Sequence, residues 1–256
     1  MKISRSRTRL ITLISVLYTA NSCIQSIIRG YTGKTNRKWV DKTIHRWVDR
    51  LLNLIGVTCK VVNPYNVQPQ PGQATIIMCN HASLYDIPLS FKAFPNHSIR
   101  MLAKKELSRI PLMGKGMTAA EFAFIDRRNR IQAIKDLEYA RKLMESGIIL
   151  WIAPEGTRSK DGKLAPFKKG GFITAIQAKA TIIPLGIRGA YEILPARTMQ
   201  LNLNQVAELH IGQPIDASQY TLENKEELVN RVHQVIKELA EGNPLPVNDL
   251  PHTLPG

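Results

Sequence analysis

The sequence predicts an α/β protein with a mixed, largely parallel sheet flanked by helices and preceded by N-terminal membrane-docking helices. The first observation is that short apolar segments alternate with segments of helical periodicity from residue 57 onward, which is typical of a helix-covered sheet. The second is that two basic, amphipathic helical segments precede this region. With 256 residues, of which 44% are hydrophobic, the chain can fill one sizeable core.

These patterns divide the chain into three parts. Residues 1–56 hold the N-terminal membrane-associated helices, residues 57–242 form the α/β domain, and residues 243–256 form a flexible tail that contains prolines. The predicted strands are Thr58–Val62, Thr75–Cys79, Ile99–Leu102, Phe122–Ile125, Ile148–Ile152, Ile182–Ile187 and Val206–Ile211. Apolar periodicity predicts a helix over Ile131–Met144, and the capping pattern Asn224-x-x-Glu227 predicts the start of a final helix.

The first helical segment covers residues 1–30 and begins with basic residues. From Leu10 to Ile28 it carries no charge, and this stretch is long enough to span a bilayer. Polar residues interrupt it, however, and its large apolar residues fall on one helical face: Leu10, Leu13, Leu17, Ile24 and Ile28. We therefore predict a helix that lies in the membrane interface. A spanning helix, a cleaved signal peptide and a core helix of the domain are the alternatives.

A second basic helix is predicted from about Asn36 to Ile55. Its apolar stripe begins at Val40, while lysines and arginines occupy much of its remaining surface. Trp39 and Trp47 suit the level of lipid headgroups. Two alternatives stay equally open for this helix, namely shallow insertion into the membrane and packing against the core of the domain.

The chain is strongly basic, because 35 lysines and arginines outnumber 20 acidic residues and give a net charge of +15. Such a surface favours an anionic partner, either nucleic acid or the anionic lipids of a membrane. Aromatic residues make up only 6% of the chain, which disfavours nucleic-acid binding by stacking on bases. Cys23, Cys59 and Cys79 lack the spacing of a zinc site or a disulfide framework, so no metal is expected and a reducing compartment fits best.

The first candidate site follows the strand Thr75–Cys79 and pairs His81 with Asp86. On a regular helix, residues at this separation point about 140° apart, and on a strand they point to opposite faces. The two side chains can therefore meet only across a bend, and a strand-to-helix turn is predicted at this point. An imidazole backed by a carboxylate is a general base, since the carboxylate fixes the tautomer and stabilises the imidazolium.

Further strand ends carry cationic side chains. Residues 153–159 follow one predicted strand and contain Gly156, which permits a tight turn, and Arg158, whose planar guanidinium suits phosphate. Arg127 and Lys105 follow two other strands. Each of these segments alone is typical of a solvated surface turn. Because ligands of open α/β sheets bind at the carboxyl ends of strands, the repeated cations together predict a pocket for an anion.

Four sequence blocks occur in the order of a known family: Asn80-His81-x4-Asp86, Phe124-Ile125-Asp126-Arg127, Pro154-Glu155-Gly156-Thr157-Arg158-Ser159 and Ile183-Pro184. On these blocks the chain resembles the lysophosphatidic acid acyltransferases of the glycerolipid acyltransferase superfamily. The resemblance covers about residues 57–215 and implies that residues 57–242 form an acyltransferase domain. The N-terminal helices resemble the membrane-docking helices of that family only in character.

The resemblance implies a chemistry for the first candidate site. His81 deprotonates the 2-hydroxyl of 1-acyl-glycerol 3-phosphate, and the oxygen attacks an acyl thioester to give phosphatidic acid for phospholipid synthesis. Asp86 orients His81. A nucleophilic Cys79 near His81 is the weaker alternative, because a thioester donor is already activated and a buried structural thiol explains this cysteine.

The resemblance also assigns binding roles and partners. The acceptor phosphate is bound by Arg158, Arg127 and Lys105, the acceptor site is shaped by Glu155, Gly156 and Thr157, and the acyl-donor site includes Ile183 and Pro184. No cofactor is implied, and the co-substrate is the thioester of coenzyme A or of acyl carrier protein. Anionic membrane lipids and lysophosphatidic acid are the expected partners, with the enzyme on the cytoplasmic face of the membrane.

Two alternatives stay open at this point. An acyltransferase of the same fold could act on glycerol 3-phosphate, another lysophospholipid or an aminolipid. A non-enzymatic basic protein that binds membranes would explain the net charge of +15, but it would not explain His81 at the end of a buried strand.

Overall fold

The computed structural model describes residues 4–126 and 128–242. Arg127 and the tail predicted at residues 243–256 therefore lie outside the described residues. The helices are α1 (Arg5–Tyr31), α2 (Arg37–Leu54), α3 (Asp86–Ser90), α4 (Met113–Ala119), α5 (Arg130–Glu145), α6 (Gly170–Gln177), α7 (Ala190–Ile193) and α8 (Lys225–Glu241). The strands are β1 (Thr58–Val62), β2 (Thr75–Cys79), β3 (Ile99–Lys104), β4 (Ala123–Ile125), β5 (Ile149–Ile152), β6 (Thr181–Arg188), β7 (Val206–Ile211) and β8 (Ile215–Asp216).

The strands form one mixed, largely parallel sheet, which confirms the predicted fold class. Their order is β1-β7-β6-β2-β5-β3-β4, and β8 pairs with β6 outside this path. The strands β6, β2, β5, β3 and β4 all run parallel, whereas β7 and β8 run antiparallel to β6. Parallel strands end on the same side, so the loops after β2, β5, β3 and β4 share one edge of the sheet. We refer to it as the carboxyl edge.

The central strand β2 divides the interior into two cores because its side chains alternate between the two faces. Ile77 and Cys79 pack on one face with residues of α1, α2 and α3. Ile76 and Met78 pack on the other face with residues of α5, α6 and α8. Both faces of β2 are thus covered, which is typical of parallel strands and holds the loop after β2 in a fixed position.

Helix α2 packs on the sheet. Its apolar stripe, which begins at Val40 and includes Val48 and Leu52, is buried, and the latter two residues belong to the same core as β2. The buried Arg100 of β3 adds an ion pair, in which its guanidinium contacts Asp41 of α2 at 2.7 Å. Of the two alternatives for this helix, core packing is confirmed, so this stripe does not insert into a membrane. The predicted division of the chain at residues 56 and 57 stays a prediction.

Helix α1 lies on the outside of the fold and exposes one apolar face. That face consists of the residues named from the sequence, Leu10, Leu13, Leu17, Ile24 and Ile28, which are all exposed. The opposite face contacts α4, where a Cβ at Gly116 would lie 2.5 Å from the Cβ of Cys23. Trp47 of α2 donates a hydrogen bond to Thr19 of α1 at 3.0 Å. Helix α1 is long and apolar enough to span a membrane. Because most of it is not buried, the alternative that it is a core helix of the domain is wrong.

Two local expectations differ from the structure. Helix α8 begins at Lys225, as the capping pattern predicts, but the Asn224 side chain does not cap it. Its Oδ1 instead accepts a hydrogen bond from the backbone N–H of Thr221 at 2.7 Å, so the predicted capping box is wrong. Helix α5 forms as predicted, yet Ile131 and Ile134 of its apolar pattern are exposed. The buried face of α5 is therefore narrower than its sequence indicates.

Candidate active site

The loop after β2 carries His81 and is fixed to the sheet by Asn80. The Asn80 amide donates to the carbonyl of Ile187 at 2.9 Å, and its Oδ1 accepts from the N–H of Ile187 at 2.7 Å. This pair of hydrogen bonds replaces the backbone pairing that β2 and β6 lose as β2 ends. His81 therefore leaves the sheet from a rigid, buried anchor.

His81 and Asp86 meet across the bend between β2 and α3, as predicted. The His81 Nδ1 lies 2.8 Å from Asp86 Oδ2. The same carboxylate oxygen accepts hydrogen bonds from the N–H groups of Ala82 and Ser83, each at 2.7 Å, and the Asp86 side chain is fully buried. Because this oxygen already accepts hydrogen bonds from two backbone N–H groups, it also acts as the acceptor toward His81. Nδ1 of His81 therefore carries the proton, and Nε2 is left with its lone pair. The imidazole is thus held in the tautomer of a general base.

The His81 ring retains limited access to the surface. Its side chain is 15% exposed. The indole of Trp151, on β5, meets it edge to face, with the ring centroids 6.1 Å apart. The indole therefore covers one side of the imidazole.

Glu155, in the loop after β5, supports the backbone of His81. Its Oε1 accepts the N–H of His81 at 2.6 Å, and its Oε2 accepts the N–H of Ala165 at 2.9 Å. The N–H of Ser159 in turn donates to the His81 carbonyl at 2.7 Å. Burial raises the pKa of Glu155, and the two backbone hydrogen bonds oppose that rise. Both carboxylate oxygens are thus already occupied, and the role in the acceptor site that the resemblance implies stays a prediction.

The remainder of the loop after β5 brings a cation to the same edge of the sheet as His81 and Asp86. Gly156 is buried and has a φ of 75°, a left-handed conformation that favours glycine. Thr157 is exposed, and Arg158 is half-buried. Strand β5 lies next to β2, with Ile152 opposite Met78, so this loop and His81 share the carboxyl edge.

The Arg158 guanidinium makes no hydrogen bond or ion pair with another residue that the structure describes, so it can bind an anion.

Lys105 lies farther along the same edge, where β3 pairs with β4. Its Nζ contacts Asp126 Oδ2 at 3.1 Å. Hydrogen bonds from Lys105 and from the backbone N–H groups of Arg128 and Asn129 lower the pKa of Asp126. A phosphate bound by Lys105 would share the ammonium group of this lysine with Asp126. The position of Arg127 lies outside the described residues, so its assignment stays a prediction.

Ile183 and Pro184 are not brought to the carboxyl edge. They lie within β6, opposite Ile77 and Met78, and both are buried. Neighbouring strand residues point to opposite faces, so the two side chains cannot line the same wall. Their implied role in the donor site stays a prediction. Cys79 is fully buried, and burial raises its pKa well above the usual value, which favours a structural thiol over a nucleophile.

Across residues 4–126 and 128–242, no group of three or more His, Cys, Asp or Glu side chains could hold a metal ion. The groups gathered at the carboxyl edge are a buried carboxylate, an oriented imidazole and basic side chains. The imidazole, oriented by the carboxylate, can remove a proton from a hydroxyl, and the basic side chains can bind an anionic substrate.

Sequence comparisons identify relatives across most of the chain. Residues 58–188, about half of the chain, match the family model described as Acyltransferase. A 1-acyl-sn-glycerol-3-phosphate acyltransferase from Saccharomyces cerevisiae is 31% identical over 241 residues, which cover 91% of this chain and 76% of the relative. The enzyme of the same name from Haemophilus influenzae is 31% identical over 208 residues, covering 76% and 82% of the two chains.

The chain spans about half the length of several curated relatives. A 1-acyl-sn-glycerol-3-phosphate acyltransferase from coconut (Cocos nucifera) is 39% identical over 132 residues, which cover 50% of this chain and 42% of the relative. The fold also matches a solved structure. The crystal structure of a 1-acyl-sn-glycerophosphate acyltransferase from Thermotoga maritima superimposes with a TM-score of 0.75 and 27% sequence identity. The match covers 93% of this chain and 97% of that one.

Proposed function

The chain belongs to the acyltransferase family, and from that premise we propose that it transfers a fatty acyl group from a thioester to the 2-hydroxyl of 1-acyl-glycerol 3-phosphate. The product is phosphatidic acid, an intermediate of phospholipid synthesis. The relatives with this activity in their names support the choice of acceptor.

The reaction follows from the tautomer of His81. Nε2 takes the proton of the 2-hydroxyl as its oxygen attacks the thioester carbonyl. The imidazolium that forms is stabilised by Asp86, whose Oδ2 lies 2.8 Å from Nδ1. Collapse of the tetrahedral intermediate expels the thiolate, which takes the proton back from His81. The ester bond forms as the thioester bond breaks, and the free enzyme is regenerated.

The observation that carries this proposal is the buried Asp86 carboxylate, which binds His81 Nδ1 and two backbone N–H groups through one oxygen. Burying a carboxylate is costly unless hydrogen bonds compensate it. A protein that only bound lipid would have no need for this arrangement. The neighbouring Arg158 supplies the positive charge that an acceptor phosphate needs, with Lys105 and Arg127 as further cations of the site.

The proposed lipid substrate also accounts for the exposed apolar face of α1. A lysophospholipid keeps its acyl chain in the bilayer, so the active site has to reach the interface. The exposed apolar face of α1 can lie at that depth, and the exposed Arg5, Arg7 and Arg9 can contact anionic headgroups. Ser15 of α1 lies beside the phenol of Tyr85, so α1 adjoins the catalytic loop. We place the enzyme on the cytoplasmic face, where acyl thioesters are made.

Purified protein incubated with labelled 1-acyl-glycerol 3-phosphate and either acyl-coenzyme A or acyl carrier protein thioester tests this function. We expect labelled phosphatidic acid from at least one donor. Glycerol 3-phosphate, a lysophosphatidylcholine and an aminolipid serve as competing acceptors in parallel reactions. A higher kcat/KM with one of these would reassign the acceptor. Absence of transfer with every pair, from folded protein that still binds vesicles, would favour a non-enzymatic membrane protein.

A further inference from the structure

We propose that the turn at residues 110–112 is a second membrane-contacting element, which inserts its apolar side chains into the anionic leaflet beside α1. This inference rests on the proposed function, because that function places the acceptor in the leaflet. Ile110 and Leu112 are large apolar side chains that the fold leaves exposed, with the exposed Pro111 between them. Three consecutive apolar residues at the apex of a loop need a partner or are tolerated at the expense of solubility.

The backbone holds this turn rigidly. Leu112 has a φ of 63° and a ψ of −49°, and the N–H of Met113 donates to the carbonyl of Pro111 at 2.7 Å, which together define a rare γ-turn with positive φ. A Cβ at Gly114 would lie 2.0 Å from the carbonyl oxygen of Ser108, so the chain folds tightly back on itself. A strained turn that directs apolar side chains outward is not accounted for by packing against the described residues.

The charges that flank the turn suit an anionic lipid surface. Arg109 and Lys115 stand on either side of it and are exposed. Neither side chain makes a hydrogen bond or ion pair with any residue in the described part of the chain. Such long side chains can lay their methylene groups along inserted apolar neighbours and still reach the lipid phosphates. An apolar apex between two cations therefore matches the layered chemistry of a bilayer interface.

The position of the turn makes it continuous with α1. Helix α4 starts directly after the turn, at Met113, and packs on α1 through the close approach of Gly116 to Cys23. On its other side the turn follows the short 3₁₀ helix Lys105–Arg109, which begins at the carboxyl edge where β3 ends. The turn therefore lies between the membrane-facing helix and the edge that carries the active site. Two contacts with the leaflet would fix the tilt of the enzyme as well as its attachment.

Vesicles of phosphatidylcholine and phosphatidylglycerol in equal parts provide the test. The variant carries Ile110→Ser and Leu112→Ser, and Leu222→Ser serves as the control because its exposure, 41%, is similar to the 46% of Leu112. Sedimentation measures partitioning. Turnover is measured separately on 1-acyl-glycerol 3-phosphate in the bilayer and on a short-chain acceptor that dissolves in water. If the double variant does not fold, the single variant Ile110→Ser is tested in its place, because Ile110 has ordinary backbone angles.

We expect the double variant to partition about tenfold more weakly than the wild type, because two apolar side chains no longer leave water. Its turnover on the bilayer acceptor should fall accordingly, while turnover on the soluble acceptor and the behaviour of the control stay unchanged. Unaltered partitioning would overturn the proposal. Unaltered partitioning with a higher KM for acyl carrier protein would also overturn it and assign the turn to that acidic protein. If the wild type does not turn over the soluble acceptor, that result would instead count against the proposed function. It would leave the test of the turn intact, because vesicle partitioning is measured without catalysis.

Discussion

Replacing Glu155 by Gln tests whether this residue positions His81 or contacts the acceptor. In the wild type both carboxylate oxygens accept backbone N–H groups, from His81 at 2.6 Å and from Ala165 at 2.9 Å. A glutamine offers one acceptor and one donor, so whichever way its amide turns, an NH₂ group faces one of these N–H groups. One hydrogen bond is lost, and a partly buried N–H is left without an acceptor.

The expected magnitude follows from that loss. An unsatisfied buried donor costs about 1–3 kcal/mol, so for a partly buried donor the free energy of unfolding should fall by an amount in the lower part of that range. If the backbone of His81 moves by about 1 Å in response, kcat should fall by about 10²-fold. The KM for the acceptor should change little, because both oxygens of Glu155 already accept backbone N–H groups.

Steady-state kinetics with a short-chain, water-soluble lysophosphatidic acid separate the two roles, and thermal unfolding reports the stability. Glu192→Gln in α7 is the matched control, because the exposed Glu192 side chain lies outside the site, and we expect wild-type kinetics from it. A large rise in acceptor KM for Glu155→Gln, with kcat preserved, would refute the positioning role. It would restore the acceptor contact that the family resemblance implies.

Three other substitutions probe the site and its support. Asp86→Asn should lower kcat by about 10³–10⁴-fold with little change in either KM, because an amide favours the wrong tautomer of His81; near-normal kcat would exclude the role of Asp86 in orienting His81. Arg158→Ala should raise the KM for the phosphate-bearing acceptor by about 10-fold or more and leave the donor KM unchanged, since one charge-assisted bond contributes about 1.5–3 kcal/mol; an equal effect on both substrates would contradict phosphate binding. Glu121→Gln should lower stability by at most about 1 kcal/mol at neutral pH, because the ion pair with Arg37 is partly exposed. The hydrogen bond from Arg37 lowers the pKa of Glu121, so this difference in unfolding free energy should vanish as the pH falls through that lowered pKa; a difference that persists in acid would contradict the ion-pair origin.

The sequence predicted the sheet because buried strands leave an unmistakable pattern of short apolar runs. The predicted bounds of β1, β2 and β7 coincide with those of the structure, whereas β8 has only two residues and no detectable pattern. The contact between His81 and Asp86 was predicted from the turn expected after β2 together with the family blocks, since the separation of the two residues alone only excludes contact on a regular helix or strand.

Contacts between distant segments could not be predicted in this way. Glu155 binds the N–H of a residue 74 positions earlier, and Asn80 binds a residue 107 positions later. Residue types identify such groups as polar and buried, but the partner depends on how the loops approach each other. The stripe of α2 was ambiguous for a different reason, because an amphipathic helix has the same pattern whether it faces a core or a membrane.

His81→Ala tests the central claim most directly. The measurement is single-turnover formation of labelled phosphatidic acid from labelled 1-acyl-glycerol 3-phosphate and the preferred thioester, with circular dichroism to verify the fold. Removal of the general base should lower the rate by about 10²–10⁴-fold in a folded protein that still binds vesicles. A folded His81→Ala variant that transfers the acyl group at close to the wild-type rate would contradict the account.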